Sequence, residues 1–481
     1  MRRRNAYRVA GTVLLLSAMT VIGATAQVFT TLVDFDGTDG AYPQYMALVQ
    51  GTDGNLYGTT GGGGFQGAYC KSGCGVVFKV TPKGTLTALY GFCQQANCTD
   101  GYEPQAGLTL STDGNFYGTT YRGGASDDGT VFKITRSGEF TTLHSFNGAD
   151  GAFVTASVTQ GIDGNFYGLT LVGGIVMPNC YLGCGTVFKI TPEGVLITLH
   201  AFESTDGNSP TGGLVLGTDG NFYGVTAGGG VGAACLYSTG CGTVFKMTPS
   251  GAVTTLYSFC GQANCTDGYA PVASLIQATD GNFYGTTYAG GTRGYGTVFK
   301  ITDSGEFTTL HSFIANPNDG ANPYAGLVQA TDGNLYGTTY SGGNCCGTIF
   351  SITPGGTYLT LHYFDATGDA FPQAGLAQAT SGVLYGTTAG GYGSIFSLDM
   401  GLGPFVTFVR FAGRVGRTGP ILGQGLAGTT GVSINGIQAN FTVVSDTFIR
   451  ATVPEGATTG FVTVTTPSGT LTSNVPFHVI P

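Results

Sequence analysis

The octapeptide DGNFYGTT recurs, with small variations, along this 481-residue chain. Copies begin at Asp53, Asp113, Asp163, Asp219, Asp280 and Asp332, and a worn copy, SGVLYGTT, begins at Ser381. Successive copies start 60, 50, 56, 61, 52 and 49 residues apart. Repetition at one spacing constrains a fold more tightly than composition does. Each unit must adopt one supersecondary structure and bury its apolar face against the next unit. A period near 50 residues is that of a propeller blade and exceeds that of helical solenoids.

Within the unit around Asp280, four extended runs are legible: VASLIQAT, NFYGTTYAGG, GTVFKIT and FTTLHSF. None has helical periodicity, and glycine breaks every stretch long enough to be a helix. TDGN joins the first run to the second as a tight turn, because Asp-Gly and Gly-Asn tolerate positive φ. TPSG at 248–251 and TDSG at 302–305 join third runs to fourth runs in the same way. In YGTT the Tyr offers a packing surface, the Gly is expected to admit a neighbouring sheet, and the Thr residues favour extended chain. Four antiparallel strands repeated seven times predict an all-β chain, with a seven-bladed β-propeller over residues 28–400. Two closures remain open. The N-terminal run TTLVDF at 30–35 can complete the seventh blade and hide a sheet edge, or FVTFVRF at 405–411 can do so. The first is the simpler.

The units resemble the GloVer tandem repeat of secreted bacterial proteins and, more loosely, kelch and NHL repeats. The resemblance rests on TDGNFYGTT…GG…GTVFKIT…G…TTLHSF. It implies a propeller and little about activity, since propellers host many functions. From Gly403 to Pro481 short alternating runs separated by Gly, Pro and Asn-Gly predict a small immunoglobulin-like β-sandwich. VSINGIQANFTVVSDTFIRATVP and GFVTVTTPSG resemble an IPT/TIG domain, which implies a spacer or interaction module.

Composition narrows the setting. There are 85 glycines but no Gly-X-Y period, and aromatics reach 12%, which excludes collagen and argues against disorder. A net charge of −9 without a basic stripe argues against a nucleic-acid partner. Residues 1–26 read as a secretory signal peptide: Arg2, Arg3 and Arg4, an apolar stretch from Val9 to Gly23, then ATA at 24–26. A secreted, periplasmic or cell-surface monomer with no transmembrane segment after cleavage is therefore expected. The 12 cysteines fall into six close pairs: Cys70/Cys74, Cys93/Cys98, Cys180/Cys184, Cys235/Cys241, Cys260/Cys265 and Cys345/Cys346. Such spacing in an exported chain reads as local disulfides that stiffen loop tips. No pair is Cys-x-x-Cys and no His adjoins one, which disfavours zinc.

Strand parity separates the connections into two faces. The short DGN and TPxG turns share one, and the variable second-to-third loops and sheet-to-sheet crossings share the other, together with every cysteine pair. Variable loops on a rigid frame are where binding resides. The candidate ligand-binding residues on that face are Tyr102, Glu103, Tyr121, Arg122, Asp127, Asp128, Tyr288, Arg293 and Tyr340. Two carboxylates near an Arg suit acid–base work on a sugar, and tyrosines suit stacking on one. The crossings also repeat Asp-Gly, or Asp-Ala at the last, through Asp39, Asp100, Asp150, Asp206, Asp267, Asp319 and Asp369. These are turn residues or, read more sharply, a ring of carboxylates at a channel mouth able to take calcium. No other cofactor is implied. His144, His200, His311 and His362 occupy one repeated strand position and read as packing residues.

No Gly-x-Ser-x-Gly, His-Glu-x-x-His or phosphate loop is present. Repetition without a catalytic signature leads to the expectation of a non-enzymatic binding or adhesion protein that presents its loop face to an extracellular glycan or protein. The alternative is a carbohydrate-active enzyme, a polysaccharide lyase or glycosidase, using the acidic residues of that face. A structural surface component is the weaker alternative.

Overall fold

The computed structural model describes residues 27–45, 47–231, 240–366 and 370–480. The predicted signal peptide, Cys235 and Asp369 lie outside the described residues. Seven four-stranded antiparallel sheets follow one another along the repeats. In the fifth, Ile276–Gln277, Phe283–Thr287, Thr297–Ile301 and Phe307–Ser312 lie side by side in chain order. The seventh is completed by the N-terminal strand Val28–Asp34, which runs antiparallel to Ser394–Asp399 from Val28↔Asp399 to Asp34↔Ser394. The run at 405–411 instead contributes Thr407–Phe408 to a separate C-terminal sheet. First strands are shorter than the run VASLIQAT suggests. Only Ile276 and Gln277 join the ladder, while the residues before them line a central cavity.

The octapeptide accounts for the sheet-to-sheet packing. In DGN, the Asp219 carboxylate accepts from the Asn221 backbone N–H (3.0 Å), the Asn221 side chain (2.8 Å) and the Tyr223 hydroxyl (2.9 Å). A third-strand lysine, Lys246, pairs with the same carboxylate at 2.8 Å. The tyrosine so held stacks on the fourth residue of the next octapeptide. Tyr57 meets Phe116, Tyr117 meets Phe166, Tyr167 meets Phe222 and Tyr223 meets Phe283, with ring centres 3.9–4.2 Å apart. Where that residue is Leu, the same pairs share a core: Tyr284 with Leu335, Tyr336 with Leu384, and Tyr385 with Leu56. Each stacked aromatic pair contributes about 0.5–1.5 kcal/mol beyond its buried area.

The glycine of YGTT does something other than expected. It opposes the third-strand Phe of its own sheet, as Gly285↔Phe299. A Cβ on Gly285 would lie 2.6 Å from Phe299 Cζ and 2.7 Å from Leu275 Cδ2, both in the same repeat. The close approach is thus within a sheet, not between neighbours. The following Thr spans the gap: Thr59 donates to the Ala106 carbonyl at 2.8 Å, and Thr286 to that of Ala325 at 3.0 Å.

Comparable bonds join the last sheet to the first. Thr387 donates to the Pro43 carbonyl at 2.6 Å. Gln50 accepts from the Thr380 N–H at 2.9 Å and donates to its hydroxyl at 3.0 Å. Phe35, Leu48, Leu56, Ala379, Tyr385 and Ile395 form one core.

The C-terminal segment forms two further four-stranded sheets, one containing Thr418–Leu422 and Phe448–Thr452, the other Gly431–Ile434 and Val462–Thr466. Ile421, Val432, Ile449, Val462 and Val464 fill the space between them. This double sheet sits on the face that carries the DGN turns. Thr447 donates to the Thr52 carbonyl (2.8 Å), Gln424 to the Thr380 hydroxyl (3.1 Å) and Arg410 to the Ile162 carbonyl (3.1 Å). Leu422 and Phe448 enter the core that holds Tyr57 and Phe116. The DGN and TxSG turns of the second sheet line one cleft with Pro420 and Phe448, so both turn types share this face.

Candidate functional site

The opposite face is built on one repeated backbone anomaly. Tyr42, Glu103, Phe153, Ser209, Ala270, Asn322 and Phe371 hold equivalent crossing positions, all with φ between 52° and 59°. A bulky side chain at positive φ is costly, about 1–2 kcal/mol, and directs attention to what it secures. Each N–H donates to the second-to-third loop of the preceding sheet, as Glu103 to the Cys74 carbonyl (2.9 Å) and Ser209 to that of Cys184 (3.0 Å). Each carbonyl accepts from its own sheet, as Glu103 from the Tyr121 N–H (3.1 Å). The backbone at these positions is therefore common to all repeats, and the side chains are not.

Around Glu103 the structure gathers six of the candidate residues. Tyr102 and Arg122 form a two-way backbone bridge (2.9 and 3.2 Å). The Arg122 guanidinium lies 3.3 Å from the Asp127 carboxylate, which also accepts from the Gly123 N–H at 3.0 Å. It rests between two rings, 5.0 Å from the centre of Phe153 and 5.5 Å from that of Tyr121. Burial, and then the hydroxyl's bond to Asp127, push the Tyr102 phenol up to about 12. Burial raises the Glu103 carboxyl; Arg122 opposes this and Asp127 reinforces it. Asp128 is raised by burial and by the charges of Asp127 and Asp150.

Glu103 lines a small cavity of about 260 Å³ with Tyr42, Gln44, Tyr45 and Gln105. Gln44, Tyr45 and Gln105 also line the central cavity of about 650 Å³, to which all seven repeats contribute and in which, among the described residues, no lining side chain is charged. Tyr45 packs on Tyr324 (5.5 Å between centres), and Tyr324 meets Tyr288 (4.8 Å) and Tyr340 (6.0 Å). Burial lifts Tyr324 to about 12. Tyr288 and Tyr340 therefore join a tyrosine cluster beside the central cavity. Arg293 stands exposed on the fifth sheet's loop, apart from both groups. Sequence reasoning missed Tyr45, Tyr324 and Gln105. The signal for the first two lay beside the crossing proline, Pro43 or Pro323, rather than in the octapeptide.

The described crossing aspartates are engaged by neighbouring backbone and side-chain groups rather than gathered as a calcium ring. Each described one except Asp39 is tied by its side chain to the outer, fourth strand of the sheet that precedes it. Asp150, Asp206 and Asp319 bind the imidazoles of His144 (2.9 Å), His200 (2.7 Å) and His311 (3.1 Å). Asp100 and Asp267 accept from the hydroxyls of Tyr90 (2.7 Å) and Tyr257 (2.8 Å). Asp39 accepts from the Asp36 N–H at 3.1 Å. Backbone N–H groups complete the shells, as Glu203 to Asp206 (2.8 Å). None of the described carboxylates lines the central cavity.

The cysteines form the disulfides Cys70–Cys74, Cys93–Cys98, Cys180–Cys184, Cys260–Cys265 and Cys345–Cys346, and Cys241 is also disulfide-bonded. These bonds suit an oxidising, non-cytoplasmic setting. The sulfurs of Cys70, Cys74 and Cys93 lie within 4.8 Å of one another, but all three are consumed in disulfides. Among the described residues no helix is long and apolar enough to cross a membrane.

Two cysteines also have a role beyond their disulfides. Cys265 ends a single 3-10 turn, Ala263–Cys265, as Cys98 ends Ala96–Cys98. The Cys265 carbonyl accepts from the N–H groups of Gly268 and Gly291, both at 2.9 Å, so backbone bonds already tie the crossing to the loop beside it. Three residues are too few to leave a periodic signal, which is why the turn was not legible in the sequence. Cys346 is 4% exposed and belongs to the core with Tyr336, Ile349 and Phe364, whereas Cys345 is exposed. Its carbonyl accepts from the Phe371 N–H at 2.8 Å. Cys346 therefore anchors its loop to the core. A small apolar side chain at the mouth of a strand is buried by its position there, whatever the adjacent cysteine does.

Repeated four-stranded sheets with a shared octapeptide define the class, and the chain belongs to the Gloeobacter/Verrucomicrobia repeat family, whose model matches residues 10–177, 70–264 and 233–443. No curated protein matches the chain. Among solved structures, a gluconolactonase from Xanthomonas campestris is 13% identical, with 69% of this chain and 89% of that one covered and a TM-score of 0.40. Candidate 6-phosphogluconolactonases from Bacteroides fragilis and Bacteroides uniformis are 17% and 18% identical. They cover 70% and 69% of this chain and 88% of their own, at TM-scores of 0.45 and 0.43. The expectation of a non-enzymatic binding or adhesion protein is corrected here: these similar solved structures carry the names of lactonases, not of binding or adhesion proteins.

Proposed function

We propose that this chain is an exported carbohydrate-active enzyme that cleaves glycosidic bonds at the cluster of Glu103, Arg122 and Asp127. In this reading the signal peptide ends at residue 26, and the seven sheets over 28–400 close as a seven-bladed β-propeller. The double sheet from 403 onward is an immunoglobulin-like module of the IPT/TIG kind. The bonds of Thr387 and Gln50 across the ends of the repeat support the closure.

One observation carries the assignment of the site. At the left-handed crossing position the seven repeats have Tyr42, Glu103, Phe153, Ser209, Ala270, Asn322 and Phe371. At the position equivalent to Arg122 they have Gly62, Arg122, Val172, Gly228, Ala289, Ser341 and Gly390. The one carboxylate of the first set and the one cation of the second fall in the same repeat. A structural device would be repeated with its frame; a single reaction centre must break the symmetry.

Glu103, its carboxyl raised by burial, is the proton donor to the leaving oxygen. Asp127, aligned by Arg122 and the Gly123 N–H, is the second carboxylate. The uncharged central cavity and Tyr45, Tyr324, Tyr288 and Tyr340 hold the sugar units, with rings against the apolar faces of the pyranoses. The test is release of reducing ends from a panel of polysaccharides. Turnover that falls by about 10²–10⁴ in Glu103→Gln, with an unchanged melting temperature, supports the assignment. No turnover on any polymer, or turnover indifferent to Glu103→Gln and Asp127→Asn, overturns it. Unsaturated product ends would replace hydrolysis by elimination.

A further inference from the structure

We infer that the cleft between the C-terminal double sheet and the DGN-turn face binds a small organic anion, a carboxylate or phosphate carried on a body with an apolar face. The inference stands on a different surface from the proposed reaction centre and does not depend on it.

The chain has 11 arginines and a net charge of −9. Four of those arginines precede residue 27, so seven lie among the described residues. Five of the seven line the two clefts under the double sheet: Arg410, Arg414 and Arg417 in one of about 660 Å³, and Arg136 and Arg450 in one of about 480 Å³. In an acidic chain this is a local concentration of cations.

The larger cleft is the better built. Arg410 is a wall residue: it donates to the carbonyls of Ala412 (3.1 Å) and Ile162 (3.1 Å), and burial lowers its pKa. Arg414 and Arg417 are free of such duty. They are exposed on one turn, closed by the Arg417 N–H to the Arg414 carbonyl at 3.1 Å, and neither has an ion pair among the described residues. The one carboxylate lining the cleft, Asp163, is already engaged by Lys189 (2.7 Å), the Asn165 side chain (2.7 Å) and the Tyr167 hydroxyl (3.0 Å). Positive charge in the cleft is therefore uncompensated from within. The remaining lining includes Pro249, Val453 and Phe477.

Guanidinium pairs grip oxyanions through paired N–H donors, and a volume of this size suits a small molecule. The overall negative charge repels a long polyanion, so the ligand carries one or two charges.

The test is calorimetric titration of the mature chain with glucuronate, glucose 6-phosphate, glucose, inorganic phosphate and a hexaglutamate peptide. The wild type is expected to bind glucuronate or glucose 6-phosphate, with affinity falling as salt rises. The double variant R414Q/R417Q, folded as judged by its melt, is expected to bind at least about tenfold more weakly, since two charge-assisted hydrogen bonds are lost. Preference for glucuronate assigns the carboxylate, and preference for glucose 6-phosphate the phosphate. The inference is overturned if glucose or inorganic phosphate binds as tightly as the sugar acids, or if the double variant titrates like the wild type. Binding of hexaglutamate alone, or of nothing at millimolar concentration, overturns it equally.

Discussion

Replacing Gly285 by Ala tests what the glycine of the octapeptide is for. In an uncrowded strand the exchange stabilises by about 0.5–1 kcal/mol, because glycine loses more backbone freedom on folding. At Gly285 the new methyl would lie 2.6 Å from Phe299 Cζ and 2.7 Å from Leu275 Cδ2, contacts that carbon atoms do not sustain. Phe299 is 0% exposed and Leu275 1%, so neither has room to retreat. Overpacking of this kind costs about 1–3 kcal/mol, and the net effect is destabilisation. Gly419 provides the opposite sign. It lies in the strand Thr418–Leu422 with nothing within 4 Å of an added Cβ, and Gly419→Ala should be neutral or stabilising.

Urea midpoints with their slopes measure both variants. A double-mutant cycle locates the clash: Phe299→Leu removes ring atoms from the contact, so the pair Gly285→Ala/Phe299→Leu should be less damaging than the sum of its parts by about 0.5–3 kcal/mol. A Gly285→Ala protein as stable as the wild type, or a strictly additive pair, would falsify the within-sheet account of the octapeptide.

Three shorter expectations follow from other bonds. Gln50→Ala leaves the N–H of the fully buried Thr380 without its acceptor; a loss of about 1–3 kcal/mol is expected, with faster amide exchange in both the first and seventh sheets. Burial opposes the charge of Asp219, but Lys246, Asn221 and Tyr223 outweigh it and bring the carboxyl to about 2. Its contribution to stability is present above the unfolded value near 4 and is lost as pH falls through 2, so Asp219→Asn should flatten the acid limb of a stability–pH curve. The Cys93–Cys98 loop is bonded to Gly101, two residues before Glu103, by Cys93 N–H to Gly101 O (3.1 Å) and Gly101 N–H to Cys98 O (2.9 Å). Cys93→Ser/Cys98→Ser should cost about 2 kcal/mol locally and depress turnover before the global melt moves; equal turnover would dissociate that loop from the site.

The unit and its strand count were legible because a repeat exposes its own period, and the turn role of each DGN aspartate followed from short-range chemistry. What the chain concealed were partners set by register. His200 and Asp206 are six residues apart, Tyr90 and Asp100 ten, and each couple meets where the pairing of the outer strand shifts register. Spacing along the chain alone leaves those aspartates equally able to face a channel. The arginine cleft was hidden for another reason: Arg136 and Arg450 are brought onto one cavity only by the docking of the double sheet. The tyrosine cluster was half visible, since Tyr288 and Tyr340 follow the octapeptide, whereas Tyr45 and Tyr324 belong to the crossings.

The left-handed crossings allow the frame and the site to be separated by experiment. The backbone bonds of Glu103 account for its φ of 52°, but they would be made equally by glycine, which adopts that conformation without steric cost. Relief of the Cβ strain favours Glu103→Gly by about 1–2 kcal/mol, and the greater freedom of glycine in the unfolded chain takes back about 0.4–1 kcal/mol. Removing a partly buried carboxyl should not reverse the balance, because burial already disfavours its charge. Glu103→Gly should therefore be as stable as the wild type or up to about 1.6 kcal/mol more so, and inactive. Ala270→Gly, at the equivalent position with φ 53°, should show the gain without the loss of turnover. The conformational cost is shared by the residues at all seven crossings, so it is the loss of turnover, not the strain, that would mark Glu103 as the residue in contact with substrate. If Glu103→Gly melts well below the wild type while keeping its turnover, the glutamate belongs to the scaffold and the reaction must be sought elsewhere on the loop face.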